Sequence, residues 1–89
     1  MKTIKATTKK GRDYIARYNR TTETSLHDCY KNPSTAKTRA DYFCRQQAAN
    51  ENGNGYKIIS FNTFGFSCAW RIASGLRIET PSNSYLIAE

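Results

Sequence analysis

The sequence predicts an α+β fold in which an antiparallel β-sheet of four to six strands carries a single helix packed on one face. Near the amino terminus and over the last third of the chain, apolar and polar residues alternate as they do in half-buried strands. Between these regions, one segment repeats apolar residues at helical spacing. A chain of 89 residues has enough material for one small core, so we expect residues 1–89 to form a single domain.

A β-hairpin is predicted at the amino terminus. Two segments, residues 3–9 and 12–19, alternate between apolar and polar residues. Lys10-Gly11 between them predicts the turn, since glycine tolerates the positive φ that tight hairpin turns require. In the second strand three residues share one face: Tyr14, Ala16 and Tyr18.

The middle of the chain predicts the single helix. The segments expected here are a polar turn at residues 20–25, a short strand over Ser25–Tyr30 and a helix over residues 33–50. Asn32 is a favourable N-cap, and Pro33 fits the first helical position because its missing N–H group costs nothing there. Six residues form the core-facing stripe of this helix: Ala36, Ala40, Phe43, Cys44, Gln47 and Ala48. The Asn- and Gly-rich residues 50–55 predict its end.

The remaining sequence predicts a meander of four strands. They are expected over segments rich in β-branched and aromatic residues: 56–62, 66–72, 76–79 and 85–88. Turns are expected at Phe64-Gly65, Ser74-Gly75 and Pro81-Ser82-Asn83. The pattern leaves open whether the side chains of Phe64, Phe66 and Trp70 belong to the core or form an exposed docking spot.

The excess of positive charge is confined to the first half of the chain. The chain has 14 Lys and Arg against 7 Asp and Glu, a net charge of +7. Residues 1–45 carry the whole excess, and residues 46–89 are neutral. An asymmetry of this kind indicates a polyanionic partner such as nucleic acid, and it says nothing about the fold.

Nucleic-acid binding is the chemistry that these basic residues favour. The candidate nucleic-acid or partner-binding residues are Lys5, Lys9, Lys10, Arg12, Arg17, Arg20, Lys37, Arg39 and Arg45. Tyr14 and Tyr18 are candidates for stacking on bases, with the core face of a strand as the alternative. Edge-strand protection is the alternative explanation for the lysines. We expect binding that depends strongly on salt, contacts mainly the backbone and is weakly sequence-specific.

The sequence does not favour an enzyme. Its one histidine, His27, is followed by Asp28, but neighbours on a strand point to opposite faces, so the pair is badly placed for catalysis. The acidic residues are scattered singly. We therefore predict no catalytic residue, and a small ribonuclease-type toxin using His27 is the alternative.

The three cysteines predict a compartment. An odd, widely spaced set is unlike a disulfide scaffold and favours buried thiols in a reducing cytoplasm. A zinc site is the alternative, with four possible ligands: His27, Cys29, Cys44 and Cys68. Because no Cys-x-x-Cys pair occurs, we predict no metal and no other cofactor. No apolar run approaches the ~20 residues of a membrane helix, so no membrane partner is expected.

The layout resembles that of small α+β proteins of phages and mobile elements, in particular anti-CRISPR inhibitors. The resemblance lies in the hairpin of residues 3–19, the helix opening at residues 34–40 and residues 56–60 leading into the meander. It implies a non-enzymatic inhibitor in the cytoplasm of a bacterial host, which binds a CRISPR–Cas complex and blocks DNA recognition.

Many members of that group are acidic DNA mimics, whereas this chain has a net charge of +7. It is therefore expected to contact an acidic protein surface, guide RNA or DNA, as a monomer or small homo-oligomer. A stand-alone DNA- or RNA-binding accessory domain is the alternative.

Overall fold

The computed structural model describes residues 1–22, 24–25, 36–51, 55–62 and 64–89, with the backbone alone at 24–25 and 36–38. In chain order the elements are β1 (Lys2–Lys5), α1 (Lys9–Arg20), β2 (Thr24–Ser25), α2 (Ala36–Asn50), β3 (Gly55–Asn62), β4 (Gly65–Ile72), β5 (Gly75–Glu79) and β6 (Ser84–Ala88). The predicted α+β class is confirmed. Neither of the two described helices is long and apolar enough to cross a membrane.

The strands form one mixed sheet in the order β1-β6-β5-β4-β3-β2. Strands β3 to β6 are the predicted antiparallel meander, and β2 adds two residues to the edge of β3. Strand β1 instead pairs in parallel with β6, with Lys2 opposite Tyr85. Because a helix rather than a tight turn follows β1, this strand is free to pair with the last strand of the chain. The sheet is therefore mostly, and not wholly, antiparallel.

Residues 9–20 form a helix, so the predicted hairpin is wrong. Thr8 is the N-cap of α1, and its hydroxyl accepts a hydrogen bond of 3.2 Å from the backbone N–H of Gly11. Four inward-facing residues follow the i, i+3, i+4, i+7 spacing of one helical face: Gly11, Tyr14, Ile15 and Tyr18. Ala16, which the strand pattern placed on the apolar face, is exposed.

Gly11, the predicted turn residue, is buried in the first turn of α1. A Cβ atom at this position would lie 2.3 Å from the carbonyl oxygen of Lys5. The Thr8 hydroxyl also donates a hydrogen bond of 2.7 Å to that oxygen. Glycine thus lets the start of the helix rest directly on the end of β1.

The two helices cover opposite faces of the sheet. Strand β4 shows the division, because Cys68 and Trp70 belong to the core beneath α2, whereas Ala69 belongs to the core beneath α1. The core on the α2 side comprises Cys44, Ala48, Tyr56, Cys68 and Trp70. The core on the α1 side comprises Ala69, Leu76, Ile78, Tyr85 and Ile87. The helix predicted on one face is α2, and α1 adds a third layer.

Helix α2 is bonded covalently to the sheet. A disulfide joins Cys44 to Cys68 of β4, with 5.9 Å between their Cα atoms, and both residues are fully buried. The prediction of free thiols is therefore wrong for this pair. Their proximity depends on how α2 packs on β4, which a spacing of 24 residues along the chain does not reveal. Cys29 lies outside the described residues.

The predicted helix and strands otherwise agree with the structure. Helix α2 ends at Asn50 as expected, and strands β3 to β6 match the predicted segments to within one residue. The predicted helix start at Asn32-Pro33, and most of the strand predicted over Ser25–Tyr30, lie outside the described residues.

The three aromatic residues left open by the sequence have different environments. Trp70 is fully buried, and Phe66 is half-buried with its ring 5.5 Å from that of Phe43. Phe64 is 97% exposed at the tip of the β3–β4 hairpin. Two of the three therefore belong to the core, and Phe64 is left as the candidate for an exposed docking spot.

Candidate nucleic-acid interface

Helix α1 lies across the strands of the sheet. Four residues opposite one another on adjacent strands form a row from β3 to β6: Lys57, Ala69, Ile78 and Tyr85. Lys10 contacts Tyr85 at one end of this row, and Tyr18 contacts Lys57 at the other. The row is about 14 Å long at normal strand spacing, and eight helical residues rise about 12 Å, so the helix follows the row.

The inner face of α1 is built from large side chains. Tyr14, Ile15 and Tyr18 pack against the core on this side, and the ring of Tyr14 lies 6.0 Å from that of Tyr85. Over the ring of Tyr18, the Lys57 Nζ atom is 3.9 Å and the Arg71 Cζ atom 5.3 Å from the centroid. The contacts of both tyrosines lie within the fold, so the geometry gives no support to base stacking by them.

The outer face of α1 is cationic. Five of its basic side chains are exposed: Lys9, Lys10, Arg12, Arg17 and Arg20. Asp13 is the one acidic residue of this helix. With 3.6 residues per turn, Lys9, Asp13 and Arg20 form the outermost stripe, whereas Lys10 and Arg17 occupy one flank. Five of the eleven basic residues in the first half of the chain therefore lie together on one helix.

Two of these cations have defined positions. The Lys10 Nζ atom lies 4.3 Å from the centroid of the Tyr85 ring, and Lys10 lines a shallow cleft with Asp13, Tyr14 and Arg17. An Arg12 Nη1 group donates a hydrogen bond of 3.0 Å to the Thr7 carbonyl oxygen. Lys10 and Arg17 therefore present two cations on one flank of the helix, with the Asp13 carboxylate beside them.

Helix stability does not explain the cations at the start of α1. The first turn contains no acidic residue, and Lys9, Lys10 and Arg12 lie near the positive end of the helix dipole. Each cation there costs roughly 0.3–1 kcal/mol, whereas Arg17 and Arg20 in the last turn are favourable. The cationic first turn is consistent with an external anion that compensates this cost.

The remaining predicted cations lie elsewhere. Ile4 belongs to the core beneath α1, so strand alternation directs Lys5 to the opposite face of the sheet. Arg39 and Arg45 belong to α2 on that same face, with the Arg45 Cζ atom 5.3 Å from the Tyr42 ring centroid. The structure therefore divides the predicted set between two layers. The side chain of Lys37, like His27, lies outside the described part of the chain.

Sequence reasoning missed two basic residues that contact α1, Lys57 and Arg71. The Lys57 Nζ group donates a hydrogen bond of 2.9 Å to the carbonyl oxygen of Tyr18 near the carboxyl end of α1, where a cation is favourable. Arg71 forms an ion pair with Glu89. Both come from the neutral half of the chain, and nothing in the sequence indicates their roles unless α1 is known to be a helix.

The predicted zinc alternative finds no site among the described residues. Cys44 and Cys68 are bonded to each other, which removes both as thiolate ligands. No group of three or more His, Cys, Asp or Glu residues in the described ranges could hold a metal ion. The other two candidate ligands, His27 and Cys29, lie outside those ranges.

Comparison of this chain with protein-family models, with curated proteins and with solved structures finds no match. The interpretation of the α1 face therefore depends on its own geometry and charge.

Proposed function

We propose that the protein is a non-enzymatic binding protein whose α1 face docks on a nucleic acid. The supporting observation is the set of five exposed cations on one helix, three of them near the helix end that disfavours positive charge. Nucleic-acid phosphates are a dense row of anions, and lysines and arginines that neutralise them release condensed counterions. This release is the driving force of the proposed binding.

The counterion mechanism has a measurable consequence. If the five cations of α1 each neutralise one phosphate, the logarithm of the binding constant for duplex DNA should fall with the logarithm of salt concentration with a slope of about −4.5. Asp13, which opposes the phosphates, would make the measured slope shallower.

The test is fluorescence anisotropy with a labelled DNA or RNA over a range of salt concentrations. We expect the variant Lys9→Glu/Arg20→Glu to lose at least about tenfold in affinity and to show a shallower slope than the wild type. Lys5→Glu/Arg39→Glu is the matched control, because it makes the same charge change at two exposed residues outside α1. Equal losses in both variants, or no binding of the wild type at low salt, would contradict the proposal.

The same reactions address the ribonuclease alternative. We expect RNA incubated with the wild-type protein to be recovered at full length. Cleavage that disappears in His27→Ala would favour the enzyme instead.

The proposed location is the cytoplasm of a bacterial host, where nucleic acid is abundant. Disulfides are rare in that reducing compartment. Cys44 and Cys68 lie in the core beneath α2, on the face of the sheet opposite α1. The proposed function therefore requires only that the α1 layer remain folded when this pair is reduced.

A second candidate function, inhibition of a CRISPR–Cas complex, follows from the resemblance in layout, and the exposed Phe64 is consistent with the protein contact that it needs. This side chain is 97% exposed, and the backbone N–H of Phe64 donates a hydrogen bond of 2.8 Å to the Asn62 Oδ1 atom. Phe61 on the same hairpin is 43% exposed. An exposed aromatic side chain can act as an anchor at a protein interface when it fills a pocket of the partner. In this candidate function the hairpin contacts protein while α1 contacts the nucleic acid of the complex.

The inhibitor function is tested by the plating of a CRISPR-targeted phage on bacteria that produce the protein. We expect the wild type to restore plating and Phe64→Ala to abolish this effect without loss of nucleic-acid affinity. Tyr42→Ala, at an exposed aromatic residue on α2, is the control and should leave inhibition unchanged. No restoration by the wild type would reject this second candidate and leave the nucleic-acid proposal unaffected.

A further inference from the structure

We infer that the ligand of the α1 face is double-stranded DNA, with α1 lying in the major groove. This inference rests on the proposed function and names its substrate class. It depends on the shape of α1, on the distribution of charge around it and on the packing of its two tyrosines against the sheet.

The shape of α1 fits one groove in particular. The helix has 12 residues, about 18 Å in length, and among the described residues it is the outermost layer on its side of the sheet. The major groove of B-form DNA is about 12 Å wide and admits a helix of this diameter. The major groove of A-form RNA is too narrow for side chains to read, so duplex RNA is a poorer fit.

The charges around α1 are arranged as a groove requires. Lys10 and Arg17 lie on one flank of the helix and Arg12 on the other, so the flanks can face the two phosphate backbones. Lys9 and Arg20 lie at the two ends of the outermost stripe, and Asp13 lies between them in that stripe, at the greatest distance from the sheet. On a flat phosphate surface this carboxylate would be repelled, whereas in the groove it faces base edges and can accept a hydrogen bond from a cytosine amino group.

The positions of the α1 tyrosines disfavour single-stranded nucleic acid as the ligand. Binding of single-stranded nucleic acid generally uses aromatic rings on which successive bases stack. Tyr14 and Tyr18 are the two aromatic residues of α1, and both pack against the sheet. The exposed part of the helix therefore offers cations and hydrogen-bonding groups without a stacking surface.

The length of the helix also limits the contact. From Lys9 to Arg20 the helix rises about 16 Å, which corresponds to roughly five base pairs. A single helix over so short a site supports modest affinity and weak sequence preference.

The test is a competition against one labelled duplex DNA, using three unlabelled competitors of the same sequence: duplex DNA, single-stranded DNA and duplex RNA. We expect duplex DNA to compete at least about tenfold better than either of the others at equal salt. Equal or better competition by single-stranded DNA or by RNA would overturn the inference and leave nucleic-acid binding standing. If the labelled duplex is not bound, and directly labelled single strands and duplex RNA are not bound either, the proposed function itself fails.

A DNA duplex with bulky substituents in its major groove tests whether α1 binds in that groove. The C5 positions of pyrimidines project into the major groove, so bulky C5 substituents fill it and leave the phosphate backbones in place. We expect such a duplex to bind at least about tenfold more weakly than the unmodified one. Equal affinity for the two duplexes would overturn the placement of α1 in the major groove.

Discussion

The two helices hold to the same sheet by different means. Helix α1 uses the large side chains of Tyr14, Ile15 and Tyr18, together with hydrogen bonds at its two ends. Helix α2 places two small residues, Cys44 and Ala48, against the sheet, packs one large ring, that of Phe43, against Phe66, and adds the disulfide. The outer face of α1 carries five basic residues, three of which do not help the helix to form.

This difference separates stability from binding. Cys44 and Ala48 let α2 approach the sheet closely, and the covalent bond adds to the apolar contacts that hold this layer. The outer cations of α1 contribute to binding and little to folding. Changes in the α2 layer should therefore alter stability, and changes on the outer face of α1 should alter affinity.

Removal of the disulfide should have the largest effect on stability. The variant Cys44→Ala/Cys68→Ala opens a loop of 24 residues, for which the chain-entropy estimate is a loss of about 3 kcal/mol in the free energy of unfolding. Denaturant titration measures this loss. Where the variant is still folded, its affinity for DNA should stay within about twofold of the wild type, because α1 covers the other face of the sheet.

Repeating the titration in the presence of a reducing agent, which breaks the disulfide of the wild type, is the control for this prediction. The reducing agent should lower the stability of the wild type by a similar amount and leave the double variant unchanged. A tenfold loss of DNA affinity in the folded variant would show that the two layers are not independent.

Gly11→Ala should destabilise the protein by about 2 kcal/mol, although alanine is the better helix former. The added Cβ atom would lie 2.3 Å from the Lys5 carbonyl oxygen, so α1 must move away from β1. Ala16→Gly, at an exposed position of the same helix, is the matched control and should cost about 1 kcal/mol through propensity alone. A thermal or denaturant midpoint that rises in Gly11→Ala would contradict the close approach of α1 to β1.

These residues also show what the sequence could predict. The meander and α2 were predictable because their apolar patterns are long and their turns carry Gly, Pro or Asn. Residues 9–20 were not, because Tyr14 and Tyr18 are four apart, a spacing that fits both a strand face and a helix face. Gly11 added to the error, since a buried glycine in a helix and a turn glycine look the same without the neighbouring backbone.

The sequence predicted the charge of the candidate interface but not which of its cations lie together. Charge excess is a property of composition, so its position in the first half of the chain did not depend on the fold. Which cations lie together depends on whether residues 9–20 are helical and on which face α2 covers. The roles of Lys57 and of the Cys44–Cys68 pair arise from contacts between distant segments, which spacing along the chain does not encode.

Lys57→Met should have the smallest effect, a loss of about 1 kcal/mol in the free energy of unfolding. The substitution removes the hydrogen bond to the Tyr18 carbonyl oxygen and the cation over its ring, while it keeps most of the aliphatic chain. Lys5→Met, at an exposed lysine, is the control and should change stability by less than about 0.5 kcal/mol. Equal effects of the two substitutions would show that Lys57 does not stabilise the end of α1.

The most direct test of the separation between the layers is an NMR titration of the ¹⁵N-labelled protein with duplex DNA at low salt. We expect the backbone amide signals of α1, Lys9–Arg20, to shift together as DNA is added. The signals of α2, Ala36–Asn50, should stay in place. Shifts centred on α2, or no shifts in either helix at saturating DNA, would contradict the binding of DNA by the α1 layer.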